Sequence, residues 1–571
     1  MSESENRAEH GASSTVRELD AVIIGAGVSG LYALYRLRGM GLDVRVYDQA
    51  GEIGGTWWYN RYPGARVDYP GGPFYCYTFS EELVREWDWT ERQPDQPSVL
   101  GYLHHVADKF HLRRDIQLRT KVQSARFDET EQRWYVETAD GERIRAQFLI
   151  AAVGTLSAPN KPDLPGLDVF AGEVFHTGDW PQDRRVEFAG KRVGVVGTGS
   201  SGVQVIPHIA REAEHLTVFQ RTPQFALPAR NQPLDPDLVR ESRENWSEVR
   251  RQIQEFGRPI SLVPSTRSAL EDTEEERLQV FEDAWQKGGL ALRECYRDLL
   301  TDPVANGYAA DFVRSKIRET VKDPEVAAKL MPDYYFATKR QIMEEGYFEV
   351  YNRDNVALVD LREEAIETFT PEGVRTAKGE YPLDILVLAT GYDAITGALK
   401  RINPVGRHGL ELEKKWAEGS RTYLGLTVVG FPNLFIFHGP ESPSVMFHMF
   451  YGTESQGDWM ADCIAYMRGH GLATIEPLPE AEKAWAAEVQ ELAGRTLYPQ
   501  TDSWFTGANI PGKPREFVVY IGGPTYHKHL HEVVAPGYEG FVFQSARPGA
   551  GPDHLPSAGD HQVAARATAG R

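Results

Sequence analysis

The sequence predicts an α/β protein with two Rossmann-like dinucleotide-binding domains and a helical insertion. Two observations lead there. A strand-like apolar run, a glycine-rich turn and a helical apolar stripe occur twice in that order, each time followed by a second strand. After the second unit comes a charged, glycine-poor stretch rich in helix formers.

In the first unit Ala21-Val22-Ile23-Ile24 reads as a strand, Leu31, Leu34 and Leu37 as one face of a helix, and residues 43–48 as the next strand. The second unit begins at Arg192-Val193-Gly194-Val195-Val196 and ends in Leu216-Thr217-Val218-Phe219. Segments such as Asp237-Leu238-Val239-Arg240-Glu241 and Glu274-Glu275-Glu276-Arg277 give the insertion its helical character. The run 383–388, followed by Ala389-Thr390-Gly391, parallels Phe148-Leu149-Ile150 followed by Val153-Gly154-Thr155, and suggests a return to the first domain. The expected division is a flexible leader over 1–18 and a first dinucleotide domain over 19–150 and 385–544, the latter part carrying a substrate loop. The second dinucleotide domain covers 151–230 and 336–384, the insertion 231–335, and a Gly/Pro/Ala-rich disordered tail 545–571.

A length of 571 residues suits three or four folded units. The 41% hydrophobic, 25% charged and 11% aromatic content is that of a globular chain. A net charge of −20 disfavours nucleic acid and anionic membrane surfaces. Residues 1–19 lack the basic-then-apolar order of an export signal, and no run approaches the roughly 18 apolar residues of a membrane span. Cys76, Cys295 and Cys463 are too widely spaced for a CxxC pair or a zinc cluster. The expectation is a cytoplasmic monomer or weak homo-oligomer with no metal, nucleic-acid or membrane partner.

Gly25-Ala26-Gly27-Val28-Ser29-Gly30 supplies glycines for a tight turn, for close approach of backbone to a pyrophosphate, and for helix packing. Asp48, 23 residues after Gly25, ends the next strand, where a carboxylate can bind ribose hydroxyls. Gly197-Thr198-Gly199-Ser200-Ser201-Gly202 has the same setting, but its following strand ends in Gln220-Arg221-Thr222. An arginine there pairs with a 2′-phosphate and favours NADPH over NADH, although a solvated surface arginine reads the same in sequence. FAD at the first turn and NADPH at the second describe a flavin oxidoreductase. With no dithiol to serve the flavin, oxygen or a small acceptor is left.

Between the two units, Phe170-Ala171-Gly172-Glu173-Val174-Phe175-His176-Thr177-Gly178-Asp179-Trp180-Pro181 fits the pattern FxGxxxHxxxWP at every fixed position. Together with Gly54-Gly55-Thr56-Trp57, residues 61–68, Thr338-Lys339-Arg340, Ala389-Thr390-Gly391-Tyr392-Asp393 and residues 504–513, it resembles the type I Baeyer–Villiger monooxygenases, of the class B flavoprotein monooxygenases. The resemblance runs from Ala21 to about Phe543. It implies reduction of FAD by NADPH, capture of O2 as a flavin peroxide, and conversion of a ketone to an ester or lactone.

The resemblance assigns Arg340 and Asp68 as catalytic. Arg340 keeps the peroxide anionic and stabilises the oxyanion. Asp68 orients it, although an aspartate in such a Pro/Gly loop reads from sequence alone as an Asx-turn. Lys339 is expected with Arg221 at the 2′-phosphate, Thr198 and Gln204 against retained NADP, and Trp504 on a closing loop. Gly25, Gly27, Ser29, Gly30, Asp48, Gly55, Thr56, Trp57, Tyr75, Val122, Gly197, Gly199, Ser200, Ser201, Gly202, Thr222 and Met449 complete the cofactor-binding set. His176 and Trp180 are expected to hold the link between domains, with His176 not the chemical base.

The apolar segment 442–450 aligns with the family's substrate-facing loop and suggests a bulky cyclic ketone, terpenoid, steroid-like or macrocyclic. Buried core explains it equally well. Two features depart from the family: Tyr69-Pro70-Gly71-Gly72-Pro73 is longer and stiffer than its counterparts, and Asp48 stands where many relatives have Glu. A heteroatom oxygenase acting on a sulfide or amine is one alternative, and a non-catalytic flavoprotein another. Arg340 and Trp180-Pro181 argue against the first, and the two intact turns against the second.

Overall fold

The computed structural model describes residues 16–69, 71–256, 265–534 and 537–546. Most of the expected leader, Pro70 and the expected tail from 547 onward lie outside the described residues.

The strand Arg17–Ile24 starts inside the span expected as leader. It runs parallel between Val44–Tyr47 and Arg143–Ala151, and Ile116–Gln117 extends the sheet beyond Val44–Tyr47. Arg143–Ala151 has two partners on its other side: its first half pairs antiparallel with Arg133–Thr138, its end parallel with Leu434–Ile436. Ala21 and Ile23 enter the core shared with helices Val28–Gly39 and Met449–Gly469, while Val22 and Ile24 enter the one around Trp134 and Trp416. Burial on both faces is why this strand reads as an unbroken apolar run.

The second sheet has five parallel strands, in the order Val356–Asp360, His215–Gln220, Arg192–Val196, Ile385–Leu388 and Glu173–His176. Ile385–Leu388 corrects the expectation that the chain returns to the first domain at residue 385. It is hydrogen-bonded on both sides within the second sheet, with Ile385 and Val387 in one core and Leu386 and Leu388 in the other. A first-sheet strand would be equally apolar on both faces, so composition does not separate the two. The chain rejoins the first sheet at Leu434–Ile436.

The insertion is helical, with Pro236–Glu244, Trp246–Phe256, Glu274–Lys287, Ala291–Glu294, Pro303–Thr320 and Pro324–Lys329. Asp235, Thr273, Asp302 and Asp323 cap four of these helices with side-chain oxygens. The insertion is not one unit, because Trp246 and Ile253 join the core of the first sheet, whereas Phe281, Leu292, Val313 and Ile317 join that of the second. Parallel pairing of Ala226–Pro228 with Ile342–Glu344 closes its base. At the far end of the chain Phe541–Ser545 pairs antiparallel with Leu472–Pro477, so the expected tail begins within a strand. Among the described residues no helix is long and apolar enough to cross a membrane.

Candidate active site

Both glycine turns open onto one cavity of about 1560 Å³, above the roughly 300–1,000 Å³ of an ordinary small-molecule pocket. The turns repeat each other. Gly25 and Gly197 share a φ of +106°, and a Cβ on them would meet the Ala152 carbonyl at 2.4 Å and the Ala389 carbonyl at 2.5 Å. The helices Val28–Gly39 and Ser200–Glu212 then start after Gly27 and Gly199 with no side-chain cap. Their first N–H groups and positive dipole ends are left for an anion. Gly27 faces Gly55, a Cβ on Gly27 coming 3.4 Å from the Gly55 Cα, whereas a Cβ on Gly199 would meet nothing within 4 Å.

Gly30 and Gly202, named above among the cofactor residues, do not line the cavity. A Cβ on them would fall 1.8 Å from the Gly25 oxygen and 2.3 Å from the Gly197 oxygen. Their place is to let each helix pack onto its own turn, the packing role expected of the third glycine. The remaining residues of the expected set all line the cavity, including Tyr75, Val122, Met449 and Trp504.

The strand ends differ. Asp48 is turned inward, its carboxylate accepting from Ala26 N at 2.6 Å and Ala50 N at 2.8 Å. Burial lifts its carboxyl above the usual range, and the two backbone bonds offset only part of that. At the second turn Gln220 is buried and donates to the Lys329 carbonyl, leaving Arg221 exposed, while Thr198 Oγ1 donates to Thr222 O at 2.9 Å and ties the turn to the strand end. Lys339 lies close enough to Arg221 for the two charges to repel, which adds to burial in lowering its pKa. Its Nζ donates to Asp502 O at 2.6 Å, so the lysine also grips the segment leading to Trp504. Gln204 accepts from Tyr62 Oη at 2.7 Å and donates to Arg66 O at 3.2 Å.

Between the turns stands Arg340. Its Nε and Nη2 donate to the two oxygens of Asp68 at 2.9 and 2.7 Å, and Nη1 donates to Val445 O at 2.7 Å. Burial alone would lower the guanidinium pKa, but the Asp68 charge and bonds outweigh it and leave the group above its ordinary value. The geometry is the bidentate fork expected of an oriented arginine, and Asp68 forms no Asx-turn bond among the described residues. Val445 belongs to the expected substrate segment, of which Val445 through Met449 line the cavity.

His176 lies in the edge strand of the second sheet, and the donors assign its tautomer. Thr390 Oγ1 gives its proton to Asn160 O, so His176 Nε2–H donates to Thr390 at 3.2 Å, while Nδ1 accepts from Gly178 N at 2.9 Å. Burial holds its pKa below the ordinary histidine value. A satisfied neutral imidazole has a structural place, as does buried Trp180, whose backbone N–H donates to the Tyr59 carbonyl across the domains at 3.3 Å. Sequence reasoning passed over Arg293, Glu294 and Tyr498, which also line the cavity. The signal for Arg293 was an arginine in a short insertion helix, indistinguishable in sequence from the many solvated ones, and Tyr498 comes from a separate short helix, Tyr498–Gln500. Among the described residues no group of three or more His, Cys, Asp or Glu is placed to hold a metal ion.

Residues 22–258 match the family described as pyridine nucleotide-disulphide oxidoreductase. A Baeyer–Villiger monooxygenase of Pseudooceanicola batsensis is 42% identical over 92% of this chain and 96% of its own. A phenazine N-monooxygenase of Lysobacter antibioticus is also 42% identical, over 92% of this chain and 97% of its own. Among solved structures, an oxidized steroid monooxygenase bound to NADP superposes with a TM-score of 0.87 at 46% identity, covering 92% of this chain and 100% of that one. With two dinucleotide turns on one cavity, a forked arginine between them and this extent of identity, the chain belongs to the Baeyer–Villiger monooxygenase family.

Proposed function

We propose that this enzyme uses FAD at the first turn and NADPH at the second to place one oxygen atom of O2 beside the carbonyl of a bulky cyclic ketone, giving an ester or lactone. The observation that carries this reading is the three-point hold on Arg340. The residues present fit the cofactors: Gly27 facing Gly55, the uncapped helix end and inward Asp48 suit the pyrophosphate and ribose of FAD. The open Gly199 with Arg221 and Lys339 suits NADPH. Bound flavin, reduced by NADPH, supplies the activated oxygen.

Arg340 supplies a fixed cation for the negative charge that develops on the carbonyl oxygen, and Asp68 and the Val445 carbonyl keep it from swinging away. Val445, Met446 and Trp504 line the same space and help exclude water. The cavity, larger than an ordinary small-molecule pocket, supports a bulky ring as the substrate. A cytoplasmic monomer or weak homo-oligomer belongs to the same proposal.

The test is product analysis with NADPH, air and ketones running from cyclohexanone to a large ring and a steroid ketone. Lactone formation that follows ring size supports the reading, and NADPH consumption with no ketone dependence overturns it. The 42% identity to a phenazine N-monooxygenase favours heteroatom oxygenation as the second reading. Phenazine in the same assay, giving an N-oxide and no lactone from any ketone, would select it.

A further inference from the structure

The cavity wall contributed by the insertion carries a charge that the reaction does not use. Arg293, in the short helix Ala291–Glu294, lines the cavity with its side chain 24% exposed. Its Nη2 donates to Tyr498 Oη at 3.1 Å, and Glu294 stands 3.8 Å from Nη1, beyond hydrogen-bond reach. A guanidinium has five donors. Arg340 commits three nitrogens to bonds, whereas Arg293 commits one among the described residues.

A mostly buried cation short of partners is costly to retain unless something outside the chain completes it. Burial and the nearby Arg340 disfavour the charge on Arg293, but Tyr498 and Glu294 outweigh them and keep it a firm cation, which leaves its uncommitted N–H donors available to an anion in the cavity. The surroundings favour an anion too. Eight Lys and Arg but four Asp and Glu line the cavity of a chain whose net charge is −20. Arg221 and Lys339 are taken up by NADPH in the proposed function, and Arg340 by the carbonyl. Arg293 is left without a task there.

We propose that Arg293, held by Tyr498, selects ketones that carry a carboxylate remote from the reacting carbonyl, so that the preferred substrates are cyclic keto acids. This rests on the ketone-oxygenating function proposed above. The planar guanidinium fork matches a carboxylate at two points, which an ammonium does not do. Leu290 and Leu300 line the same cavity and give apolar cover for the ring.

The test uses the flavin-loaded enzyme with 3-oxocyclohexanecarboxylate and its methyl ester, ketones alike in shape and different in charge. Steady-state kinetics are compared for the wild type, Arg293→Met and Tyr498→Phe. The wild type is expected to favour the acid by about tenfold or more in kcat/KM, with the difference in KM, as for a charged hydrogen bond. Arg293→Met abolishes the preference while ester kinetics and the KM for NADPH hold, and Tyr498→Phe weakens it. An acid-to-ester ratio unchanged in Arg293→Met, or a change confined to the KM for NADPH, would overturn the inference, and ester turnover in the same assay would show that ketone oxygenation itself stands. Turnover of neither compound overturns the inference, and the ketone panel above then decides whether ketone oxygenation stands.

Discussion

The two glycine turns of this enzyme have the same backbone and different closing residues. Gly25 and Gly197 have equal φ, each backs onto the carbonyl of an alanine, and each leads into an uncapped helix. Asp48 closes the first turn from inside, bound to two backbone N–H groups, whereas Arg221 stands exposed at the second with no hydrogen bond or ion pair among the described residues. In the function proposed above, turn geometry specifies that a dinucleotide binds, and the strand end specifies which one. A carboxylate already bonded inward is preorganised for a ribose, and an exposed guanidinium can take up a phosphate without breaking a bond first.

The largest effect that separates the two turns is expected from their third glycines. Overpacking costs typically about 1–3 kcal/mol, and a Cβ 1.8 Å from a backbone oxygen stands at the upper end of that or beyond. Gly30→Ala should yield protein with almost no flavin, and Gly202→Ala protein that keeps flavin and loses reduction by NADPH. Flavin absorbance per chain, followed by anaerobic reduction, reads both, and loss of flavin from Gly202→Ala would break the assignment of cofactors to turns. Next comes the group between the turns. Arg340→Ala should lower ester formation by about 10²–10³-fold, the usual cost of removing a preorganised charge from a reacting oxygen, while flavin reduction by NADPH persists.

Smaller again is the choice of nicotinamide cofactor. Arg221→Ala should cut the preference for NADPH over NADH by about tenfold or more, the worth of one charge-assisted hydrogen bond, measured as the ratio of kcat/KM values. An unchanged ratio would assign that selection to Lys339 alone. The smallest effect concerns pH. Glu454, beneath the first turn, accepts from Thr78 and Phe79 N–H groups, and burial pushes its carboxyl from 4.5 up to about 7. The folded chain favours its protonated form, so its stabilising contribution is full below the unfolded value of 4.5 and is lost as pH rises through about 7. Glu454→Gln should flatten that part of the Tm-against-pH curve, and an unaltered curve would show that another group sets it.

Both turns were legible in sequence because their signals are local: a buried strand, fixed glycine spacing, and a strand end a short way on. The Arg340–Asp68 fork spans 272 residues and was legible only through family resemblance. Its third partner, the Val445 carbonyl, is a backbone group with no side-chain signature at all. Ile385–Leu388 was placed in the wrong sheet because both sheets are buried on both faces and ask for the same residues. Arg293 sits in a highly charged insertion, and only the packing of that insertion onto the second sheet reveals that it lines the cavity.

The measurement closest to the central claim is mass spectrometry of the product made from a cyclic ketone under isotopically heavy O2, in the wild type and in Arg340→Ala matched for flavin content. The wild type is expected to give an ester or lactone carrying one heavy oxygen atom, and Arg340→Ala to consume NADPH while giving almost none. Labelled product from Arg340→Ala at the wild-type rate would contradict a role for the forked arginine, and wild-type product free of label would contradict oxygen insertion itself.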